Sequence, residues 1–310
     1  MRLFDLHCDT LSAALNGTPS PLYAGDRFVP AAGGAFTPWV QTMAAYLPDT
    51  LRGEAARRAC LAMLAVAARW QRRQPAQLHL LTGTRCPQPA FSGCQAMLSV
   101  EGGGAFGDAP EFLCRLADAG VKLISLTWNG DNAWASGCMG TPDGGLTAAG
   151  EQALQQMERL AITPDVSHLN AAGFWQVAAR CRRPFIASHS DAAAVLPHPR
   201  NLTDEQFVAL REAGGLVGLN LYPGHLGGLS FAQLRRHLEH FLSLDGERTV
   251  CIGSDLDGFM LPDGVDGYAF LAGFWQYLAE AGYPADLLDR IFYENARSFF
   301  FGSDDKDKGE

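Results

Sequence analysis

The stretch TPDVSHLNAAGFWQVAARCRRPFIASH (residues 163–189) decides the predicted fold, because it contains one complete strand–helix–strand unit. The runs 163–168 and 184–189 have the composition of short buried strands, and a helix candidate covers 170–181. This order predicts two parallel strands with the connecting helix packed outside them. Each of the two runs ends on a histidine, and the polar residues at strand ends become the first candidates for a functional site.

The same alternation continues along the chain. Further β-like runs lie at 3–7, 77–83, 96–102, 121–128, 215–222 and 249–255. Further helix candidates lie near 41–73, 109–119, 147–161, 203–213, 231–243 and 267–281. Eight strand–helix units over this length favour a (β/α)8 barrel of the TIM type over an open sheet. We predict an α/β fold with one barrel domain over 1–301 and a disordered charged tail over 302–310.

Composition and charge exclude several classes of function. The 310 residues carry a formal net charge of -9, which argues against nucleic acid or an anionic membrane as the main partner. The eight cysteines include no CxxC pair and lie in apolar segments, as thiols in a reducing compartment do. The first β-like run leaves no room for a secretory signal before it, and the most apolar helix candidate, 59–70, is too short to cross a membrane. These features predict a cytoplasmic protein.

Residues that commonly bind metals fall at the ends of several predicted strands. In FDLHCDT (4–10), His7 and Asp9 point to one side of the strand and Cys8 to the other, because side chains alternate along a strand. Later runs end in Glu101, His168, His189 and Asp255. In a (β/α)8 barrel, active residues lie at this edge. Three histidines with Asp9 and Glu101 exceed the three protein ligands of a typical catalytic zinc site, which favours two ions bridged by a carboxylate.

Alternatives to this interpretation must be weighed. A carboxylated lysine is excluded as the bridge, since Lys306 and Lys308 lie in the tail and Lys122 lies at the wrong end of its strand. Taken alone, a strand-end histidine is commonly a hydrogen-bonded structural residue, and SDLDG (254–258) resembles a loop with two solvated carboxylates. The joint placement of the ligand types favours the metal site. His237 and His240 have helical spacing and are expected on an exposed face.

A set of motifs makes the chain similar to a known family. FDLHCDT, SVEGG, PDVSHLN, IASHSDAAAV, PRN and IGSDLDG occur in the order seen in the membrane dipeptidase (renal dipeptidase) family. The chain resembles the soluble bacterial branch of that family from about Leu3 to Phe299. The resemblance implies a zinc dipeptidase on a (β/α)8 barrel of the metal-dependent hydrolase (amidohydrolase) type, with two Zn²⁺ ions per chain.

The resemblance also implies roles for individual residues. The implied metal ligands are His7 and Asp9 for the first zinc, His168 and His189 for the second, and Glu101 as the bridge between them. Asp255 matches the family's proton shuttle, and Arg200 matches the arginine that holds the carboxylate of the substrate. Tyr222 falls near a tyrosine that lines the family's pocket. One alternative stays open for Arg200, which is also spaced to pair with Asp204 or Glu205 on the surface.

One position departs from the family pattern. The best-known members carry a histidine that contacts the substrate at the place where this chain has Trp128, followed by Asn129. An indole N–H donates a hydrogen bond but does not titrate, and the amide of Asn129 is an alternative donor. The departure bears on substrate preference and leaves the metal ligands untouched.

The implied reaction is hydrolysis of the peptide bond of a small dipeptide substrate. A hydroxide that bridges the two metals attacks the carbonyl, Asp255 passes the proton to the leaving amine, and Arg200 holds the C-terminal carboxylate. An L-Xaa–D-Xaa dipeptide is the working hypothesis, and a homodimer is expected because family members often dimerise. Two alternatives stay open. One is another binuclear amidohydrolase, such as an N-acyl amino acid deacylase or a lactonase, and the other is a metal-binding barrel without catalytic activity.

Overall fold

The computed structural model describes residues 1–83, 85–107 and 109–302. Its strands are β1 (Leu3–Cys8), β2 (Tyr23–Ala24), β3 (Arg27–Phe28), β4 (Trp39–Tyr46), β5 (Leu78–Leu80), β6 (Cys94–Glu101), β7 (Val121–Ser125), β8 (Thr163–Asp165), β9 (Val217–Leu219) and β10 (Val250–Ile252). Its α-helices are α1 (Thr10–Asn16), α2 (Gly53–Arg73), α3 (Pro110–Asp118), α4 (Ala148–Arg159), α5 (Ala171–Arg180), α6 (Asp204–Glu212), α7 (Pro223–Leu226), α8 (Phe231–Ser243), α9 (Gly267–Glu280), α10 (Ala285–Asp289) and α11 (Asn295–Phe301). Within these described residues, no helix is both long enough and apolar enough to cross a lipid bilayer. The predicted tail lies outside them from residue 303 onward.

The long strands form one parallel sheet that closes on itself. Hydrogen-bonded neighbours follow the order β8, β7, β6, β4, β1, β10 and β9. The segment 185–188 completes the ring, because bridges join Asp165 to Ile186 and Ala187 to Val217. Backbone hydrogen bonds of 2.8 to 3.0 Å flank this segment on both sides, so it occupies the sixth strand position. The predicted (β/α)8 barrel is confirmed.

The second strand of the barrel differs from the prediction. The strand β4 pairs with β6 along its whole length, whereas the sequence predicted one helix over 41–73. Nearly all of β4 is buried, and a run that lacks strict polar–apolar alternation has the same sequence pattern in a buried strand as at the start of a buried helix. The helix α2 begins only at Gly53. The predicted run 77–83 yields the short strand β5, which pairs with β6 beside the ring.

Apolar side chains fill the barrel towards the N-terminal ends of its strands. One buried cluster contains Phe4, Leu6, Val40, Met97, Leu123, Ile186, Leu216 and Cys251. These residues come from strands around the ring yet contact one another, so the cluster lies inside the barrel. Tyr293 and Ala296 belong to the same cluster and cover it from the C-terminal helical segment. A second, larger apolar cluster joins the strands to the surrounding helices.

The two histidines expected on an exposed face have structural partners. His237 on α8 is fully buried, and its Nδ1 accepts from the N–H of Ala192 at 3.1 Å. Its Nε2 donates to the carbonyl of Leu226 at 3.0 Å. His240 is partly buried and lies 2.7 Å from a carboxylate oxygen of Asp204. The exposed-face prediction is wrong for His237, because helical spacing does not reveal which neighbouring segments cover a helix.

Candidate active site

The predicted metal ligands meet at the C-terminal end of the barrel. Glu101 lies between them: its Oε1 is 2.6 Å from His168 Nε2 and 3.7 Å from His189 Nε2. Its Oε2 is 3.6 Å from His7 Nε2. His7 Nε2 is in turn 3.4 Å from Asp9 Oδ2. One carboxylate therefore faces two sets of donors, one with each of its oxygens.

The donor atoms form overlapping groups that suit metal ions. The groups, each with its atoms within 4.8 Å of one another, are His7 with Asp9 and Glu101, Glu101 with His168 and His189, and His7 with His189 and Asp255. Imidazole nitrogens and carboxylate oxygens are ligands that zinc takes in proteins. His7 Nε2 and Asp9 Oδ1 are buried and have no hydrogen-bond partner in the described part of the chain. A bound cation would satisfy both atoms, so the residues present fit divalent metal ions.

Burial and mutual charge control protonation in this cluster. Burial, together with the charge of Asp9, raises the pKa of Glu101 well above its usual range. Burial by itself would lower the pKa of His7, but the carboxylates of Asp9, Glu101 and Asp255 outweigh burial and raise it to about 10. Burial lowers the pKa of each of the other two histidines well below the usual range, which keeps them neutral. Neutral imidazole is the form of histidine that binds a metal ion. A bound cation would also balance the negative charge of the buried carboxylates.

An irregularity in β1 orients the side chains of His7 and Asp9, the first two candidate ligands along the chain. The pairing of β1 with β4 shifts register between Asp5 and Cys8, as at a β-bulge. Bulges beside active sites redirect side chains. Cys8 packs in the apolar core, whereas His7 and Asp9 belong to the polar cluster. The carboxylate of Asp5 is buried below them and accepts the N–H of His7 at 3.3 Å.

The loop IGSDLDG after β10 carries strain at its two aspartates. Asp255 has φ 60° and Asp257 has φ 66°, a left-handed conformation that residues other than glycine rarely adopt. Such strain concentrates at functional sites. Gly258 allows the tight turn, because a Cβ there would lie 2.5 Å from Asp255 Oδ1. The two carboxylates are not a solvated pair, since Asp257 accepts from the hydroxyl groups of Thr10 at 2.6 Å and Ser20 at 2.7 Å.

Asp255 belongs to one of the three donor groups and has a carboxyl suited to proton transfer. Its Oδ1 is 3.9 Å from His7 Nε2, and its side chain is 15% exposed. Burial and the charge of Asp9 raise the pKa of Asp255 to about 6, although His7 opposes this shift. Asn220 donates from Nδ2 to Asp255 Oδ2 at 3.3 Å and thereby orients it. Asn220 was not predicted, and its only signal in the sequence is a polar residue near the end of the apolar run 215–222.

Asp165 is a buried aspartate that the sequence did not single out, and it is linked to the candidate ligand His189 through Ser188. Asp165 accepts from Ser125 Oγ at 2.6 Å, from Ser167 Oγ at 2.7 Å and from Ser188 Oγ at 2.6 Å. Ser188 Oγ also lies 2.8 Å from His189 Nδ1 and so links the carboxylate to a candidate ligand. The signal was present in PDVSH, because an aspartate within a buried strand requires several hydrogen-bond donors.

Arg200 is buried against the candidate metal ligands. It is 3% exposed, and its Nη2 donates to the carbonyl of His189 at 3.0 Å and lies 3.2 Å from His168 Nε2. Its Nε has no hydrogen-bond partner within the described residues, which leaves one buried donor for an anionic group. The alternative of a surface ion pair with Asp204 or Glu205 is wrong, because the guanidinium points into the barrel end instead.

These groups open into a cavity of about 470 Å³. The predicted substrate residues Trp128, Asn129 and Tyr222 line it together with four members of the donor groups, Asp9, Glu101, His168 and Asp255. Tyr46, which the sequence placed in a helix, also lines it and packs edge-on against Trp128 with 5.2 Å between ring centroids. Across the barrel, Tyr222 packs edge-on against His225 at 4.7 Å. The cavity therefore has an aromatic wall on each side of the polar cluster.

A larger cavity, of about 980 Å³, lies at the opposite end of the strands. Its lining includes Lys122 and Thr163, near the starts of β7 and β8, and the aromatic residues 299–301. No member of the donor cluster lines it. Active sites of (β/α)8 barrels lie at the C-terminal ends of the strands, so chemistry rather than size identifies the smaller cavity as the site.

Sequence comparisons agree with this geometry. A family model described as membrane dipeptidase (peptidase family M19) matches residues 37–298. An uncharacterized protein in the pqqA 5′ region of Klebsiella pneumoniae is 36% identical over 209 residues, which cover 63% of this chain and 77% of that protein. An uncharacterized dipeptidase of Schizosaccharomyces pombe is 30% identical over 198 residues, which cover 60% of this chain and 48% of that protein. The chain thus spans about half the length of this fungal relative.

The fold comparison points to the same family. A metallopeptidase of Rhodobacter sphaeroides, solved with a phosphinate mimic of the dipeptide L-Ala-D-Ala, superposes with a TM-score of 0.85 and 26% sequence identity. The superposition covers 97% of this chain and 98% of that one. The predicted enzyme class, a metallo-dipeptidase that hydrolyses peptide bonds, is confirmed. With the donor cluster at the strand ends and the match over residues 37–298, this chain belongs to the membrane dipeptidase family, peptidase family M19.

Proposed function

We propose that this enzyme hydrolyses small dipeptides, L-Xaa–D-Xaa dipeptides among them, with two zinc ions at the barrel end. The observation that carries the proposal is the carboxylate of Glu101, whose two oxygens face two separate sets of donors. The residues that would hold the ions are His7 and Asp9 on one side and His168 and His189 on the other. When bound, the ions would polarise the scissile carbonyl and lower the pKa of the attacking water.

The remaining site residues bind the substrate and move the proton. Arg200 offers its buried guanidinium to the C-terminal carboxylate, in a charge-assisted contact that favours a short substrate. Asp255 takes a proton from the nucleophile and delivers it to the leaving amine, while Asn220 holds its carboxyl in place. Trp128 and Tyr222 contact the substrate from the two aromatic walls.

Two observations support the size and the stereochemistry of the proposed substrate. A cavity of about 470 Å³ suits a ligand of dipeptide size. A carboxylate anchored one residue beyond the scissile bond excludes longer peptides. The Rhodobacter sphaeroides metallopeptidase of the same fold holds a mimic of an L–D dipeptide, which supports an L–D preference in this chain.

A substrate panel tests the proposed function. Zinc-loaded protein is offered L–L dipeptides, L–D dipeptides, a tripeptide, N-acyl amino acids and lactones, with chelator-treated protein as control. We expect chelator-sensitive cleavage of dipeptides and none of the tripeptide. Cleavage of N-acyl amino acids or lactones alone would move the function to another amidohydrolase activity. Stable dipeptide binding without turnover would indicate a non-catalytic binding barrel.

Replacement of Arg200 by alanine tests the carboxylate contact. Loss of a buried charged partner costs about 2 kcal/mol or more, so we expect KM to rise by at least about 30-fold. Zinc content should not change, because the guanidinium is not a ligand. Kinetics on a dipeptide and on its C-terminal amide give an internal control, since only the wild type should discriminate strongly between them. An unchanged KM of Arg200→Ala for the free acid would show that Arg200 does not bind the substrate carboxylate.

Three statements about the whole protein stay predictions. They are a cytoplasmic location, a homodimer and a single barrel domain over 1–301. No nucleic acid or membrane partner forms part of the proposal. Light scattering on the purified chain tests the homodimer directly, because its molar mass of 33.4 kDa would double.

A further inference from the structure

Asn129 contacts a candidate metal ligand rather than standing free in the cavity. It follows β7, and its side-chain oxygen Oδ1 lies 3.0 Å from Nδ1 of His168. The same oxygen accepts from Cys138 Sγ at 3.6 Å. Asn129 also accepts the backbone N–H of Met139 with its carbonyl at 2.8 Å. Both the side chain and the backbone of Asn129 are therefore hydrogen-bonded to the wall of the site.

The metal-binding role proposed for His168 decides where its ring proton sits. Nε2 of His168 faces the candidate site, 2.6 Å from Glu101 Oε1, 2.9 Å from His189 Nε2 and 3.2 Å from Arg200 Nη2. When Nε2 binds a metal ion it presents its lone pair, so the ring proton then resides on Nδ1. An N–H at Nδ1 needs an acceptor, which is the role that the amide oxygen of Asn129 fills. The opposite orientation of the amide would place two donors face to face.

The loop that follows Asn129 holds both partners in this geometry. Cys138 donates its backbone N–H to the carbonyl of His168 at 2.8 Å. Gly137 packs directly on the turn, since a Cβ there would lie 2.3 Å from the carbonyl oxygen of Asn129. The loop therefore fixes the backbones of Asn129 and His168 relative to each other, which holds their side chains within hydrogen-bond distance.

The geometry points to Asn129 as a positioning residue that fixes the tautomer of His168 and turns its Nε2 lone pair towards the metal. This inference rests on the metal site of the proposed function. It gives Asn129 a role different from the substrate donor expected from the sequence. Hydrogen-bonded partners behind a metal-binding histidine set its orientation and its basicity. His189 receives the corresponding support from Ser188.

Metal affinity tests this role independently of catalysis. Zinc affinity is measured by competition with a chromophoric chelator on the full chain, for wild type, Asn129→Leu and Asn129→Asp. We expect Asn129→Leu to weaken one of the two bound ions by about 10- to 100-fold. Asn129→Asp should keep both affinities within about threefold of wild type, because a carboxylate also accepts from Nδ1. In zinc-loaded wild type, nitrogen NMR should show the proton of His168 on Nδ1.

Matched variants at Asn16 control for polarity and charge in the cavity. Asn16 lines the same cavity, is exposed, and has no hydrogen bond to a candidate ligand within the described residues. Asn16→Leu and Asn16→Asp should leave both zinc affinities unchanged. Thermal unfolding of each variant verifies folding, and Asn129→Ala gives the same readout if Asn129→Leu does not fold.

Defined outcomes would overturn the inference. Wild-type zinc affinity in Asn129→Leu would contradict the positioning role. An equal loss of zinc affinity in Asn129→Leu and Asn129→Asp would contradict it as well. A rise in KM for dipeptides with unchanged zinc affinity would make Asn129 a substrate contact. Failure of the proposed function is a separate result. If the wild type cleaved no dipeptide but Asn129→Leu still lost one zinc ion selectively, the inference about Asn129 would stand.

Discussion

Replacement of Glu101 by glutamine is expected to lower kcat/KM by about 10³-fold or more and to release bound zinc. The carboxylate faces donors on both sides, at 2.6 Å from His168 Nε2 and at 3.6 Å from His7 Nε2. An amide has one oxygen and no charge, so it cannot serve both sides. Steady-state kinetics and metal analysis of dialysed protein measure the two effects together.

Glu151→Gln is a matched control for this change. Glu151 is 2.7 Å from Arg180 in a half-exposed ion pair, and such pairs contribute about 1 kcal/mol or less. Its activity and zinc content should equal those of wild type. Full activity with two zinc ions in Glu101→Gln would contradict the shared-carboxylate site and require another residue to bridge the donors.

Replacement of Asp255 by asparagine is expected to lower kcat by about 10²- to 10⁴-fold, the usual contribution of general acid–base catalysis. Asparagine keeps the shape of the side chain but cannot carry the proton. Zinc content and KM should change little, because Asp255 lies at the edge of the donor cluster, 3.9 Å from His7 Nε2. Kinetics with parallel metal analysis separate loss of proton transfer from loss of metal.

Asp257→Asn provides the control from the same loop. Asp257 shares the left-handed backbone conformation of Asp255 but bonds to Thr10 and Ser20 instead of facing the donor groups. We expect kcat to stay close to wild type in this variant. If Asp255→Asn lost zinc together with activity, Asp255 would act as a metal ligand, and the proton would need another carrier.

The barrel and its strand-end chemistry were predictable because they depend on local patterns. Alternating strand and helix signals gave the fold class, and barrel topology placed each strand end at the same rim. The helix predicted over 41–73 failed at its start, because β4 is buried on both faces and lacks alternation. Because of this error, Tyr46 was not predicted as a cavity residue, since its position in the cavity depends on where β4 ends.

The contacts behind the site were not predictable from spacing. Asp165 gathers donors from three neighbouring strand positions, and Asn220 reaches Asp255 from the next strand. Arg200 looked able to pair on the surface, but the fold buries it beside His168. Apart from the contact between Asp165 and Ser167, these contacts join residues far apart in the chain, so only the packing of neighbouring strands brings them together.

The central claim is that the strand-end cluster is a two-zinc centre that hydrolyses dipeptides. The most direct test titrates metal-free protein with zinc while the hydrolysis of L-Ala-D-Ala is followed. We predict no activity without metal and a plateau when two zinc ions are bound per chain. Full activity in the metal-free protein, or no hydrolysis of any dipeptide with two ions bound, would contradict the account.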